Sequence, residues 1–143
     1  MQQNRNQQIE FKSDWAELQN ARIKNDTVAL IKVSENCARK LEKTEASQLR
    51  RFLDEIIKVN PKIDFDNPNL NDNLGEDLII KLSIMRPRFL YSAARKKGDL
   101  LNFYRTIFDP LLADVKRFKY RDLQYLHLFI ESLIAYHKVY AKK

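Results

Sequence analysis

Three cations, Lys81, Arg88 and Arg95, recur at intervals of seven in the stretch from Lys81 to Lys97. Seven residues are almost two α-helical turns, so on an unbroken axis the three form one ridge about 21 Å long. Such a ridge can follow several phosphates of a single strand, and the chemistry it offers is charge neutralisation. Lys96 and Lys97 add cations at its end. A solvated helix face is the competing use of the same pattern.

A second basic run, Lys116-Arg117-Phe118-Lys119-Tyr120-Arg121, interleaves two aromatics with four cations. Phosphate contact with base stacking is one use of it; the reading favoured here is a solvated turn whose Phe118 and Tyr120 enter the core. Catalytic and metal-binding patterns are weaker. His127 has Glu131 one turn on, but two ligands at that spacing need a third and a fourth, and no H-E-x-x-H motif is present. His137 falls in an apolar stripe, where a hydrogen-bonded structural histidine is the usual occupant. Cys37 also lies in such a stripe and reads as a small buried hydrophobe rather than a reactive thiol. Asp64 and Asp66 open like a calcium loop, yet Pro68, Asn69 and Gly75 fill positions where a ligand, glycine and glutamate are required. No metal or cofactor is expected, and no enzymatic activity.

Composition points the same way. The 143 residues hold 26 Lys+Arg against 19 Asp+Glu, a formal charge of +7, with one cysteine and two glycines. A disulfide scaffold and a cysteine zinc site are excluded, and phosphate-cradling loops and nucleophile elbows have almost no glycine to build on. Residues 1–77 carry 12 basic and 14 acidic side chains and residues 78–143 carry 14 and 5, so the positive charge is regional. A concentrated basic surface favours a polyanionic partner. The Gln/Asn-rich start has no apolar run of the kind a signal peptide needs and no stretch reaches membrane-span length, so the expected location is cytoplasmic.

The elements that must carry these residues are helices. Leucine outnumbers valine by 18 to 5, and turn residues cluster in few places. The expected fold is an all-α single-domain bundle of five to seven helices over residues 13–143, behind a disordered tail, 1–12. Ser13 is expected to cap a helix from Asp14 to about Lys24, and Asp26 a second through about Leu41. Thr44 is expected to cap a third through about Lys58, with Leu49, Phe52, Leu53, Ile56 and Ile57 on its core face. On that helix Arg51 points to solvent and Arg50 lies at the core edge with its stem packed.

Val59 to Asn73 reads as a long loop. Asn73 with Glu76 forms a capping box for a helix starting at Leu74. Pro87 then either ends that helix near Met85 or kinks a longer one reaching about Lys97. After Gly98-Asp99 a segment from Leu100 to about Phe118 is expected to kink at Pro110, and a last helix spans about Tyr120 to Tyr140. The last helix carries two apolar stripes. One holds Leu123, Leu126, Ile130, Leu133, Ile134 and His137; the other holds Tyr125, Leu128, Ala135 and Val139 with Ser132. Such a helix is either central in the bundle or shared with a partner. The second stripe is assigned to a partner interface.

Three runs add a family resemblance. Ser47-Gln48-Leu49-Arg50-Arg51-Phe52, Arg86-Pro87-Arg88-Phe89-Leu90-Tyr91-Ser92-Ala93-Ala94-Arg95 and Phe129-Ile130-Glu131-Ser132-Leu133-Ile134-Ala135-Tyr136-His137-Lys138 resemble the signature stretches of the small subunit of the type III-A CRISPR effector, the Csm complex. Order and approximate spacing match over about residues 27–140. Ser92 and Ala94 depart from the family's usual Ala and Gly, and neither removes a cation. The resemblance implies an α-helical, non-catalytic subunit, present in several copies beside the guide RNA and its target, with RNA cleavage left to other subunits. It marks Arg50, Arg51, Arg88 and Arg95 for RNA binding, to which the physical argument adds Lys81, Lys96 and Lys97. The partners it implies are single-stranded RNA or guide-target RNA, other Csm subunits and further copies of the chain. A helical protein-interaction module without RNA contact, or a small nuclease, are the competing readings.

Overall fold

The computed structural model describes residues 9–58, 68–96 and 98–141. It contains helices α1 (Lys12–Ile23), α2 (Thr27–Lys40), α3 (Ala46–Lys58), α4 (Glu76–Lys96), α5 (Gly98–Phe103), α6 (Asp109–Ala113) and α7 (Tyr120–Tyr140). A π-helical turn, Tyr104–Phe108, joins α5 to α6, and two 3₁₀ turns span Pro68–Asn71 and Val115–Arg117. Among the described residues the only β-type pairing is a single bridge between Asn73 and Lys119. The chain is thus all-α, as its periodicities predict.

α7 is the central helix. It packs most extensively on α2 and also meets α3 and the Pro68–Asn71 turn, while α4 lies against α3, α5, the π turn and α6. The core is unusually aromatic where α4 docks. Phe11 meets Phe103 edge-on at 5.2 Å between ring centroids, Phe103 meets Phe108 at 5.3 Å, and Phe108 meets Phe129 of α7 at 6.3 Å. Phe89 of α4 joins the same chain through Phe108 at 6.5 Å and Tyr104 at 6.2 Å. Edge-to-face rings at these distances add to the burial energy, so the outer helix is seated on a stiff platform.

Helix starts differ from expectation where burial or turn geometry outweighs capping. α1 begins earlier than a Ser13 cap would place it: Phe11 occupies the cap position, with its carbonyl accepting from the Trp15 N–H at 2.9 Å. Phe11 is fully buried, so the packed part of the chain starts before residue 13; residues 1–8 lie outside the described residues. Burying a phenylalanine is worth more than a serine cap. Asp26 caps α2 as expected, its Oδ1 accepting from the Ala29 N–H at 3.1 Å. Thr44 does not cap α3. Its N–H closes the turn after α2 on the Leu41 carbonyl at 2.9 Å, and the helix starts at Ala46.

The capping box at Asn73 is replaced by a tertiary tie. The Leu74 N–H donates to the Phe118 carbonyl and the Tyr120 N–H to the Asp72 carbonyl, each at 3.1 Å, which holds residues 72–74 extended. α4 therefore starts at Glu76, with the Gly75 carbonyl accepting from Leu78 and Ile79. At the same junction Asp122 fixes the start of α7: its Oδ2 accepts from the Lys119 N–H at 2.9 Å, and its Oδ1 from Arg22 at 3.2 Å.

Pro87 lies inside α4, which runs on to Lys96. The proline is exposed, and so is Ser83, whose carbonyl has no helical donor at residue 87. Where α4 gives way to α5, Gly98 adopts φ 65°, a conformation open to glycine without strain. The expected single segment from Leu100 to Phe118 is divided. Pro110 has no N–H to give to the turn before it, and the chain widens there into the π turn, closed by the Asp109 N–H on the Tyr104 carbonyl. No helix among the described residues is long and apolar enough to cross a membrane.

Candidate nucleic-acid interface

α4 owes its orientation to an apolar stripe at helical spacing. Leu82, Met85, Phe89 and Ala93 are buried against the bundle. Residues a third of a turn or more round the helix from that stripe face outward, and Lys81, Arg88 and Arg95 are all exposed. Because the helix is uninterrupted through Pro87, the three share one side of one axis, and the ridge of about 21 Å that their spacing implies is present.

The ridge has neighbours that charge spacing does not reveal. Opposite the buried stripe stand Ile80 and Ile84, each 50% exposed, and Tyr91, 67% exposed. At 100° per residue these three and Pro87 fall along one line, with Lys81, Arg88 and Arg95 along its flank. The Arg95 guanidinium lies 5.7 Å from the Tyr91 ring centroid, within cation–π range. A helical projection of the sequence carries this signal, but only once the continuity of α4 is known.

Arg86 lies among the same run of cations and is used differently. Its Nε donates to Asp109 Oδ1 at 2.9 Å and its Nη2 to Oδ2 at 3.3 Å. The paired carboxylate holds the Arg86 pKa above its usual value. Tyr104 completes the joint by donating its hydroxyl to the Arg86 carbonyl, and burial, with the nearby Asp109 charge, pushes the phenol pKa upward.

The remaining candidates separate by element. Arg50 and Arg51 are both exposed on α3, a different helix that packs against α4; Arg50 is more open than a core-edge position suggests. Lys96 ends α4, and Lys97 lies outside the described residues, as do Asp64 and Asp66. In the second basic run Phe118 is buried and Tyr120 half-buried, so the aromatics serve the core, and Arg22 stacks 5.2 Å over the Phe118 ring. Arg121 reaches Asn71 at 3.4 Å.

The α7 stripe assigned to a partner divides along its length. Tyr125 is buried, its hydroxyl donating to Asn25 Oδ1 at 2.8 Å, and Leu128 is half-buried against the core. Ala135 and Val139 are exposed, Val139 by 76%. His137 is buried with Nε2 2.8 Å from the Leu41 carbonyl, a structural tie between α7 and the end of α2. Cys37 is buried, and burial, with the Asp14 carboxylate, pushes its thiol pKa well up, away from the reactive thiolate. Asp14 is itself buried and paired with Lys40. Among the described residues no cluster of three or more His, Cys, Asp or Glu side chains could hold a metal ion.

Against this geometry, the family model described as Csm2 Type III-A matches residues 24–143. The match spans α2 to α7 and includes every candidate cation on α3 and α4. No curated protein and no solved structure gives a significant match.

Proposed function

Because the chain belongs to the Csm2 Type III-A family and is thereby a subunit of a type III-A CRISPR complex, we propose that it acts there as a non-catalytic RNA-binding subunit. It works in several copies, in the cytoplasm, as part of the ribonucleoprotein that gives antiviral defence. Its partners are the target strand or guide-target RNA, other Csm subunits and neighbouring copies of itself. The observation that carries this reading is the exposure of Lys81, Arg88 and Arg95 along one side of an unbroken α4. Arg50 and Arg51 on α3 add exposed cations to this set, and Lys96 and Lys97, next after Arg95 in the sequence, complete the proposed RNA-binding residues.

One small module makes few phosphate contacts, so a single copy binds weakly and linked copies bind tightly through effective concentration. Neutralising Arg88 and Arg95 together tests the reading. The R88A/R95A chain should bind every RNA sequence more weakly, and the slope of log K against log salt should flatten by about 1.4, or about 0.7 for each single-strand phosphate that is no longer neutralised. Binding equal to wild type at low salt would make the ridge a solvated face.

A further inference from the structure

Resting on the RNA reading above, we infer that α4 takes unpaired nucleotides, and that Tyr91 is the residue on which a base stacks. The cations alone are compatible with any phosphate backbone. The apolar line beside them is not: Ile80, Ile84 and Tyr91 are half or more exposed at the centre of the outward face. A polynucleotide covers such a line only with base faces, and a duplex hides those faces in its own stack. A single strand presents both chemistries at once, phosphates along one edge and base planes along the other.

The local geometry suits that occupant. Going round the helix, the apolar line occupies one strip, and Lys81, Arg88 and Arg95 follow beside it, so a strand lying along α4 can set phosphates on the cations while its bases turn onto the strip. Tyr91 falls between Arg88 and Arg95 in sequence and is the aromatic of the strip. Its ring is already oriented by the Arg95 guanidinium at 5.7 Å, which limits the rotamer freedom lost on binding. Guanidinium planes also stack on bases, so the Tyr91–Arg95 pair extends the platform. The charge matches a polyanion, which distinguishes this face from an uncharged apolar patch awaiting a protein partner.

The test measures fluorescence anisotropy at low salt with a uridine homopolymer, the same strand carrying abasic positions, and a duplex of equal length. Four chains are compared: wild type, Tyr91→Leu, Tyr91→Phe and R88A/R95A, with circular dichroism confirming helical content. Tyr91→Leu, which keeps apolar bulk without a ring, should weaken binding of the uridine strand between about 5- and 100-fold with an unchanged salt slope. Tyr91→Phe should bind as wild type, and abasic strands and duplex should not distinguish Tyr91→Leu from wild type. If Tyr91→Leu binds the uridine strand as wild type while R88A/R95A loses affinity and slope, the stacking inference falls and the ridge survives. If neither variant alters binding, the RNA reading itself falls. Should Tyr91→Leu bind RNA normally but lose association with other copies or subunits, the strip is a protein contact and the inference is overturned.

Discussion

Arg86 and Asp109 form a two-pronged ion pair, at 2.9 and 3.3 Å, that ties α4 beside Pro87 to the first residue of α6, just after the π turn. The proline-bearing stretch of α4 is thereby fastened to the helix that follows the π turn, and the Tyr104 hydroxyl on the Arg86 carbonyl reinforces the joint. Within one short basic run Arg86 is thus engaged in positioning α4, while Lys81, Arg88 and Arg95 are exposed along its flank.

That division gives a contrast between neighbouring arginines. Arg86→Ala removes a pair whose side chains are 43% and 36% exposed, so the stability loss should stay below about 1 kcal/mol, and the salt slope of RNA binding should be unchanged. R88A/R95A should flatten that slope, which Arg86→Ala leaves alone. Thermal unfolding and a salt titration on the same two proteins check both halves.

Phe11 supplies a second expectation. It is fully buried, edge-on to Phe103, with Lys40 Nζ 5.6 Å from its ring centroid. Phe11→Ala should cost about 3 to 5 kcal/mol, read by chemical denaturation. A cost below about 1 kcal/mol would return residues 9–12 to a tail that the fold does not need.

How much of this was legible in the sequence follows from the range of each interaction. Most of the helices, the inward stripe of α7, the inward placement of Leu49, Leu53, Ile56 and Ile57 on α3, the Asp26 cap and the burial of Cys37 and His137 depend on local spacing, and they stand in the structure as read, while the Phe52 side chain of the same stripe lies outside the described ones. The helix starts at Ser13, Thr44 and Asn73 fail where other partners compete with the local cap: Phe103 for Phe11, the Leu41 carbonyl for Thr44, and Phe118 and Tyr120 for residues 72–74. Pro87 leaves two outcomes open in one dimension, since the choice depends on which side of the helix faces water. The cation ridge was legible from its period of seven. Tyr91, Ile80 and Ile84 were not, because exposed and buried apolar residues look alike until the helix has a core side.

Glu35 gives a pH dependence whose sign follows from its partners. Its Oε2 accepts from the Tyr140 hydroxyl at 2.8 Å and from Arg39 at 3.2 Å, and the tyrosine bond, then Arg39, hold its pKa below the ordinary 4.5. A carboxylate depressed in the folded state adds stability that is present above 4.5 and lost as pH falls through the lower folded value. Tyr140→Phe should therefore reduce the stability lost in that acid window and leave the pH dependence above it unchanged. The contribution is small, since Glu35 lies near the surface, and melting curves taken against an Arg39→Ala chain would show whether the two partners act separately.

The last prediction concerns α7, where one apolar stripe serves two environments. Leu128 packs half-buried against the core, so Leu128→Glu places a charge where water is largely excluded and should destabilise the chain by about 2 to 4 kcal/mol. Val139, 76% exposed near the helix end, should accept glutamate within about 0.5 kcal/mol. If Ala135 and Val139 form a contact with another copy or subunit, Val139→Glu keeps its melting temperature and fails to assemble, because the charge is desolvated only when the partner covers it. A Val139→Glu chain that assembles like wild type would remove this end of α7 from the interface and leave Tyr125 and Leu128 as core residues alone.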